Sequence, residues 1–269
     1  MHGLGNDFVV IDAINQTIDL SPEQIRFIAD RRFGVGCDQL LLVEKPQSQN
    51  AEFQYRIFNA DGGEVEQCGN GARCFARFVI DNNLTKSTEI PVETNSGLIV
   101  LTLNDDGNVT VNMGAPKFAP ASLPFTADAQ ATEYELQTQD ANVRIAAVSV
   151  GNPHAVLIVD NVDEAAVETL GPQIESHPRF PERVNVGFMQ IVAKDEIRLR
   201  VYERGAAETL ACGTGACAAV AAGIMQGKLA DCVKVSLPGG ELVIRWTGED
   251  EPIFMTGPAT RVFEGCILL

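Results

Sequence analysis

Arg56-Ile-Phe-Asn-Ala-Asp-Gly-Gly-Glu-Val-Glu-Gln-Cys-Gly-Asn-Gly-Ala72 has a second version in the same chain, Arg200-Val-Tyr-Glu-Arg-Gly-Ala-Ala-Glu-Thr-Leu-Ala-Cys-Gly-Thr-Gly-Ala216. At a constant offset of 144 residues, Arg56 meets Arg200, Glu64 meets Glu208, Cys68 meets Cys212, Gly69 meets Gly213 and Gly71 meets Gly215. Each copy reads as a β-type run, a turn rich in Gly, Ala and charge, and then Cys-Gly-x-Gly-Ala opening a run of small apolar residues. One cysteine per copy suggests two thiols meeting across an interface between related halves.

Three further phrases recur in the same order. Asn6 and Asn152 both follow a glycine and lead into an apolar run, Gly3-Leu-Gly-Asn-Asp-Phe against Gly151-Asn-Pro-His. Arg32-Phe-Gly-Val-Gly-Cys-Asp-Gln-Leu40 is matched with Arg183-Val-Asn-Val-Gly-Phe-Met-Gln-Ile191, which sets Gly36 over Gly187 and Gln39 over Gln190. Glu93 to Thr102 resembles Ser236 to Arg245, with Gly97 over Gly240. Offsets of 143 to 151 residues lie far above solenoid periods, so the pattern is a duplicated domain.

Short Val/Ile/Thr-rich strands broken by Asp-Asp-Gly (105–107) and Pro-Gly-Gly (238–240) predict the fold class. It is α/β in the α+β sense, with two pseudo-symmetric domains. Each is a curled, mainly antiparallel sheet around the helix that follows its cysteine. The expected domains are 1–112 and 113–257, with a C-terminal strand at 258–269 returning to the first. Ser21-Pro-Glu-Gln24 reads as a capping box with proline at the first helical position. Helices are expected from Ala72 to about Ile80 and over Ala216–Met225. The latter is apolar on every face and therefore enclosed. The polar stretch Leu123–Gln139 reads as a loop or edge segment.

Composition removes several function classes. The 269 residues are enough for a sizeable core, and 45% hydrophobic with 21% charged residues is a globular balance. A net charge of −16 repels phosphate backbones and anionic membranes, which excludes nucleic acid and membrane partners. The longest apolar run, Ala216–Met225, is too short to span a bilayer, and no export signal opens the chain, so the expected location is cytoplasmic. Seven cysteines, none in Cys-x-x-Cys, argue against a disulfide framework, a zinc site or a redox dithiol. No metal and no cofactor is expected.

Cys-Gly-x-Gly-Ala ahead of a helix places a thiol at a helix N-terminus, where unpaired N–H groups and the dipole favour thiolate and anion alike. Two such thiols around an anion-holding cleft suit one task. One takes a proton from the carbon beside a carboxylate, and the other returns a proton to the opposite face.

With Phe58-Asn-Ala-Asp-Gly, Gln67-Cys-Gly-Asn-Gly-Ala-Arg and Tyr202-Glu-Arg-Gly added, the chain resembles the diaminopimelate epimerase family over practically its whole length. The resemblance implies a cofactor-independent two-base interconversion of LL- and meso-2,6-diaminopimelate in lysine and peptidoglycan precursor biosynthesis, by a homodimer. It implies Cys68 and Cys212 as the acid/base pair, with His154 and Glu203 tuning their proton affinity. It also implies that the amides at Gly69-Asn70 and Gly213-Thr214 hold the reacting carboxylate. Asn59, Asn152, Asn185 and Arg204 would meet the distal amino-acid end, Asn6 and Gln39 line the site, and Glu203 faces the reacting amino group.

An arginine can grip a carboxylate bidentately and asparagines can serve both charges of a zwitterion, so the residue chemistry agrees. His2 and His177 are read as structural. Three departures stand out: Met1 begins inside the first phrase, so a shortened first strand is expected; Thr214 replaces a common serine; and Ala155 stands where cysteine is frequent. The alternatives are a proline or hydroxyproline racemase-like enzyme sharing the two-thiol logic, and a non-catalytic amino-acid-binding protein.

Overall fold

The computed structural model describes residues 1–65 and 68–269; Glu66 and Gln67, inside the first copy of the duplicated stretch, lie outside that set. The chain forms two compact units, Met1–Asn112 with Thr256–Leu269, and Met113–Met255.

In the first unit the order is β1 (His2–Gly3), β2 (Asn6–Asp12), α1 (Pro22–Ala29), β3 (Gln39–Glu44), β4 (Phe53–Asn59) and β5 (Glu64–Val65). There follow α2 (Gly69–Asp81), β6 (Glu89–Thr94), β7 (Gly97–Leu103) and β8 (Val109–Asn112). The second unit runs β9 (Tyr134–Gln137), β10 (Asn142–Ser149), β11 (Pro153–Ile158), α3 (Val167–Glu175), β12 (Asn185–Ala193) and β13 (Glu196–Glu203). It continues with β14 (Ala207–Thr209), α4 (Gly213–Met225), β15 (Cys232–Leu237) and β16 (Gly240–Arg245); β17 (Phe254–Gly257) leads back to the first unit.

The pairing repeats unit by unit. β2 runs parallel to β3, β3 antiparallel to β4, β4 parallel to β6, and β6 antiparallel to β7. β11, β12, β13, β15 and β16 follow with the same sequence of directions. Even the registers coincide: Phe58 faces Glu64 as Tyr202 faces Glu208, and Thr94 faces Gly97 as Leu237 faces Gly240. Both hairpin glycines are left-handed (φ 115° and 139°), a conformation that side chains resist. An Arg–Glu fork is duplicated too, Arg56 on Glu64 at 2.9 and 2.8 Å and Arg200 on Glu208 at 2.6 and 2.7 Å. These bidentate pairs tie the strand before each cysteine to the short strand that delivers it.

The register corrects one correspondence read from sequence. Phe8 faces Gln39 in the first unit and His154 faces Asn185 in the second, so Gln39 is matched by Asn185, not by Gln190. The glycine match was coincidental. Gly36 precedes its strand with φ 84°, whereas Gly187 lies inside β12 opposite Val201.

Each sheet curls because strands from both ends reach the central helix. α2 meets β1, β2 and β3 as well as β7 and β8, and α4 meets β10 to β13 as well as β16. α4 is buried from Gly215 to Gly223, as an all-apolar helix must be. Around α2, Phe75 makes edge contacts with Tyr55 and Phe53 at ring-centre distances of 5.3 and 6.1 Å. α1 has the expected capping box, Ser21 with Gln24, and lays Ile25 and Ile28 on Leu40, Leu42 and Phe58. Two buried thiols of this unit are inert small hydrophobes: burial pushes Cys37 up to about 11 and Cys74 up to about 12. No described helix is long and apolar enough to cross a membrane.

Two expectations need amendment and a third is narrowed. α2 and α4 begin at Gly69 and Gly213, three residues earlier than read, because the cysteines are extended N-caps and the glycines are already helical. Residues 258–269 hold no strand: Pro258 has no N–H to offer a ladder, its carbonyl accepts from Arg73 Nε at 3.1 Å, and a single bridge joins Thr260 to His2. Of the two readings of Leu123–Gln139, the edge segment fits, since β9 pairs with β10, and Leu123, Phe125, Tyr134 and Leu136 also sit in the core. Its polar residues mask a two-residue alternation only four residues long.

Gly71 has no room for a side chain, as a Cβ would stand 2.7 Å from Tyr55 Oη and 3.2 Å from Phe8 Cε1. Gly71→Ala should therefore cost about 1–3 kcal/mol by overpacking. Combining it with Tyr55→Phe, which removes the obstructing hydroxyl, should cost less than the sum of the two single changes in denaturant melts. Strict additivity would contradict this packing account.

Candidate active site

The duplicated register brings four positions per unit to the same ends of equivalent elements. In the first unit they are Asn6 at the start of β2, Gln39 at the start of β3, Asn59 at the end of β4, and Cys68 as N-cap of α2. In the second they are Asn152 just before β11, Asn185 at the start of β12, Glu203 at the end of β13, and Cys212 as N-cap of α4.

Both cysteines occupy positions where Ser, Thr, Asp or Asn would normally cap with an oxygen. Forgoing that oxygen costs about 0.5–2 kcal/mol per helix. The first-turn N–H groups of an α-helix have no carbonyl partner in the helix's own ladder, which suits such a turn to a carboxylate.

In the first unit Cys68 is half-buried and Asn70 is buried. Cys68 Sγ donates to Asn6 Oδ1 at 3.7 Å, and Asn70 Nδ2 donates to the same oxygen at 3.3 Å. The orientation of Asn6 is set from its other side, where its Nδ2 donates to Asp38 Oδ2 at 3.1 Å. Asp38 is in turn held by Arg31, which also forks onto Asp7 at 2.8 and 2.9 Å. Gln39 Nε2 donates to Asn59 Oδ1 at 2.9 Å. Sequence reading passed over Asp38, although it adjoins Gln39; only the fold brings it 32 residues across to Asn6.

The second unit is more enclosed. Cys212 is 4% exposed. Its thiol is pushed well above the usual range, first by burial and then by the carboxylate of Glu203, against bonds from the Thr214 hydroxyl and the Gly215 N–H. The helix N-terminus was expected to favour thiolate; here desolvation and a neighbouring charge outweigh it, and Cys212 stands protonated. A side chain at Gly215 would reach within 3.2 Å of Cys212 Sγ, so that glycine also shapes the seat of the sulfur. Thr214 Oγ1 lies 3.6 Å from the sulfur, and Thr209, unremarked in the sequence, donates a short hydrogen bond to Glu203 Oε1.

His154 is buried and stays neutral, pushed down to about 3 by burial and then by Arg204. Its Nε2 meets Asn152 Oδ1 at 2.9 Å, which assigns the proton to Nε2 and leaves Nδ1 as the lone-pair nitrogen. His154 therefore carries no positive charge. Asn185 accepts from the Arg204 N–H at 3.0 Å and donates to Pro153 O at 3.1 Å. Arg204 anchors one guanidinium nitrogen on Glu182 O at 3.0 Å and is otherwise exposed. His177 packs structurally, its Nε2 3.3 Å from Gln137 O. No group of three or more His, Cys, Asp or Glu side chains arranged for a metal occurs among the described residues.

Comparison with known proteins follows the same outline. A family model described as diaminopimelate epimerase matches residues 1–119 and 146–262. The diaminopimelate epimerase of Thioalkalivibrio sulfidiphilus is 64% identical, over 99% of this chain and 97% of its own. That of Nitrosospira multiformis is 61% identical, over 100% and 97%. Among solved structures, a Bacillus anthracis phenazine biosynthesis protein of the PhzF family superposes with TM-score 0.71 at 18% identity, over 100% of this chain and 95% of that one. A probable proline racemase from Agrobacterium radiobacter gives 0.69 at 19%, over 96% and 88%. At such identities the structures share the fold alone, whereas the sequence relatives decide the family. The chain belongs to the diaminopimelate epimerase family, and it is an isomerase that works without pyridoxal phosphate.

Proposed function

We propose that the protein interconverts LL- and meso-2,6-diaminopimelate by a two-base proton transfer between Cys68 and Cys212. The observation that carries this reading is the duplicated half-site, in which each half seats one cysteine as the N-cap of the helix its own sheet wraps. The α-carboxylate is held by the first-turn N–H groups at Gly69-Asn70 and Gly213-Thr214, which stabilise the charge that develops when the α-proton leaves. One sulfur, as thiolate, removes that proton; the other, as thiol, supplies a proton to the opposite face. The roles exchange with the direction of reaction.

Glu203 couples binding to ionisation. Its carboxylate opposes loss of the Cys212 proton. The ammonium of a bound substrate beside Glu203 offsets that charge and makes the thiolate accessible. Asn59, Asn152, Asn185 and Arg204 grip the distal amino-acid end, with Asn6 and Gln39 lining the site and His154 staying neutral. A cage of this kind rejects substrates lacking the distal head, because its polar members would be left unpaired. On the same reading the protein works as a homodimer in the cytoplasm, in lysine and peptidoglycan precursor biosynthesis.

In deuterium oxide the wild-type protein should place solvent deuterium at the α-carbon of diaminopimelate, whereas a pure binding protein would place none. Cys68→Ala and Cys212→Ala should each lower epimerisation by about 10²–10⁴-fold, the usual worth of a positioned acid or base, with substrate binding kept. Full activity in either variant would defeat the assignment. For Glu203→Gln, the pH half-point for alkylation of Cys212 by iodoacetamide, followed by peptide mass spectrometry, should fall, since a charge that raises the thiol has gone. An unchanged or higher half-point would remove Glu203 from the mechanism.

A further inference from the structure

Glu175 is the last residue of α3, and its side chain is 7% exposed. Both features are unfavourable to a carboxylate: the C-terminal end of a helix is negative, and burial strips the group of water. Its partners explain how it is tolerated. Oε1 accepts from the Gly205 N–H at 3.2 Å and from Arg183 Nη1 at 3.2 Å, while its main-chain carbonyl accepts from the Val184 N–H at 3.1 Å.

One residue thus binds the two segments that bracket the distal-end pair. Residues 183 and 184 directly precede Asn185, and Gly205 directly follows Arg204. Arg183 and Gly205 both have left-handed backbones, φ 63° and 74°, so each marks a turn that needs external support. Between them the Arg204 N–H is bonded to Asn185 Oδ1 at 3.0 Å. The turn through Gly205, Ala206 and Ala207 borders an open cavity of about 500 Å³ that Glu175 and Arg183 also line.

The duplication supports a bracing role. At the offset of 144, Gly205 corresponds to Asp61 in the turn after β4. That turn is held from the equivalent helix, α1, through Arg26 Nη1 donating to Asp61 O at 3.0 Å. In both halves, the helix preceding the strand reaches over to the turn beyond its neighbour. The polarity is reversed: a donor reaches a carbonyl in one half, and an acceptor reaches an N–H in the other.

We infer that Glu175 is a positioning residue that presents Asn185 and Arg204 to the distal amino-acid head of the substrate; this rests on the proposal that those two residues grip that head. The test compares kcat and KM for diaminopimelate in Glu175→Ala, Glu175→Gln, Arg204→Ala and the Glu175→Ala/Arg204→Ala double variant. Glu175→Ala should raise KM about tenfold, the scale of one lost hydrogen bond to a charged group, with kcat little changed. Glu175→Gln, which restores an acceptor for Gly205, should recover most of the affinity. In the Arg204→Ala background, Glu175→Ala should add almost nothing, because the group it presents is gone. An unchanged KM in Glu175→Ala, or effects that multiply in full with those of Arg204→Ala, would overturn the inference. An unchanged KM in Arg204→Ala alone would instead overturn the underlying assignment of the distal end. Should Glu175→Ala fail to fold, Glu175→Asp keeps the charge but withdraws it from Gly205; KM should rise, and an unchanged value overturns the inference.

Discussion

A cysteine stands where a capping residue would normally stand, at the head of a helix wrapped by its own sheet, and this constraint organises both halves of the molecule. A Ser or Asp there would satisfy the first-turn N–H groups and stabilise the helix by about 1 kcal/mol. The cysteine instead brings a titratable sulfur next to that turn. Enclosure of the helix makes the arrangement tolerable, because burial of α2 and α4, not capping, holds them in place. The fork of Arg56 on Glu64, and of Arg200 on Glu208, aims the strand that leads into each cap.

The halves share a frame but not an electrostatic environment. At corresponding positions, Asn59 ends one strand and Glu203 ends the other. A neutral amide and a carboxylate therefore stand in equivalent places. Cys212 is deeply buried with an acid beside it and is held protonated, whereas Cys68 is half-buried against the Asn6 amide. Duplication repeated the frame, and divergence at one strand end placed a carboxylate beside Cys212.

Much of this was legible in the sequence, because it rests on local chemistry. Ser21-Pro-Glu-Gln24 announced its capping box, the all-apolar run around Val220 announced an enclosed helix, and Gly97 and Gly240 marked matching hairpins. The Gly36–Gly187 match misled because a glycine carries no information about whether it sits in a strand or before one. Contacts spanning long separations were not legible at all. Asp38 on Asn6 and Glu175 on Gly205 are 32 and 30 residues apart, and nothing in either local pattern foretells them. The helix N-terminus argument for a thiolate failed at Cys212 because it ignored burial and the charge of Glu203, both products of the folded chain.

The central claim is that Cys68 and Cys212 address opposite faces of one carbon, and mild oxidation of the wild-type protein tests it most directly. Sulfurs able to flank a single stereocentre can also join when nothing lies between them, so the account predicts a Cys68–Cys212 disulfide in peptide mass spectra. It further predicts that activity is lost in step with that bond, regained on reduction, and protected by bound substrate. Oxidised protein in which those two cysteines never join, whatever the other five do, would contradict it.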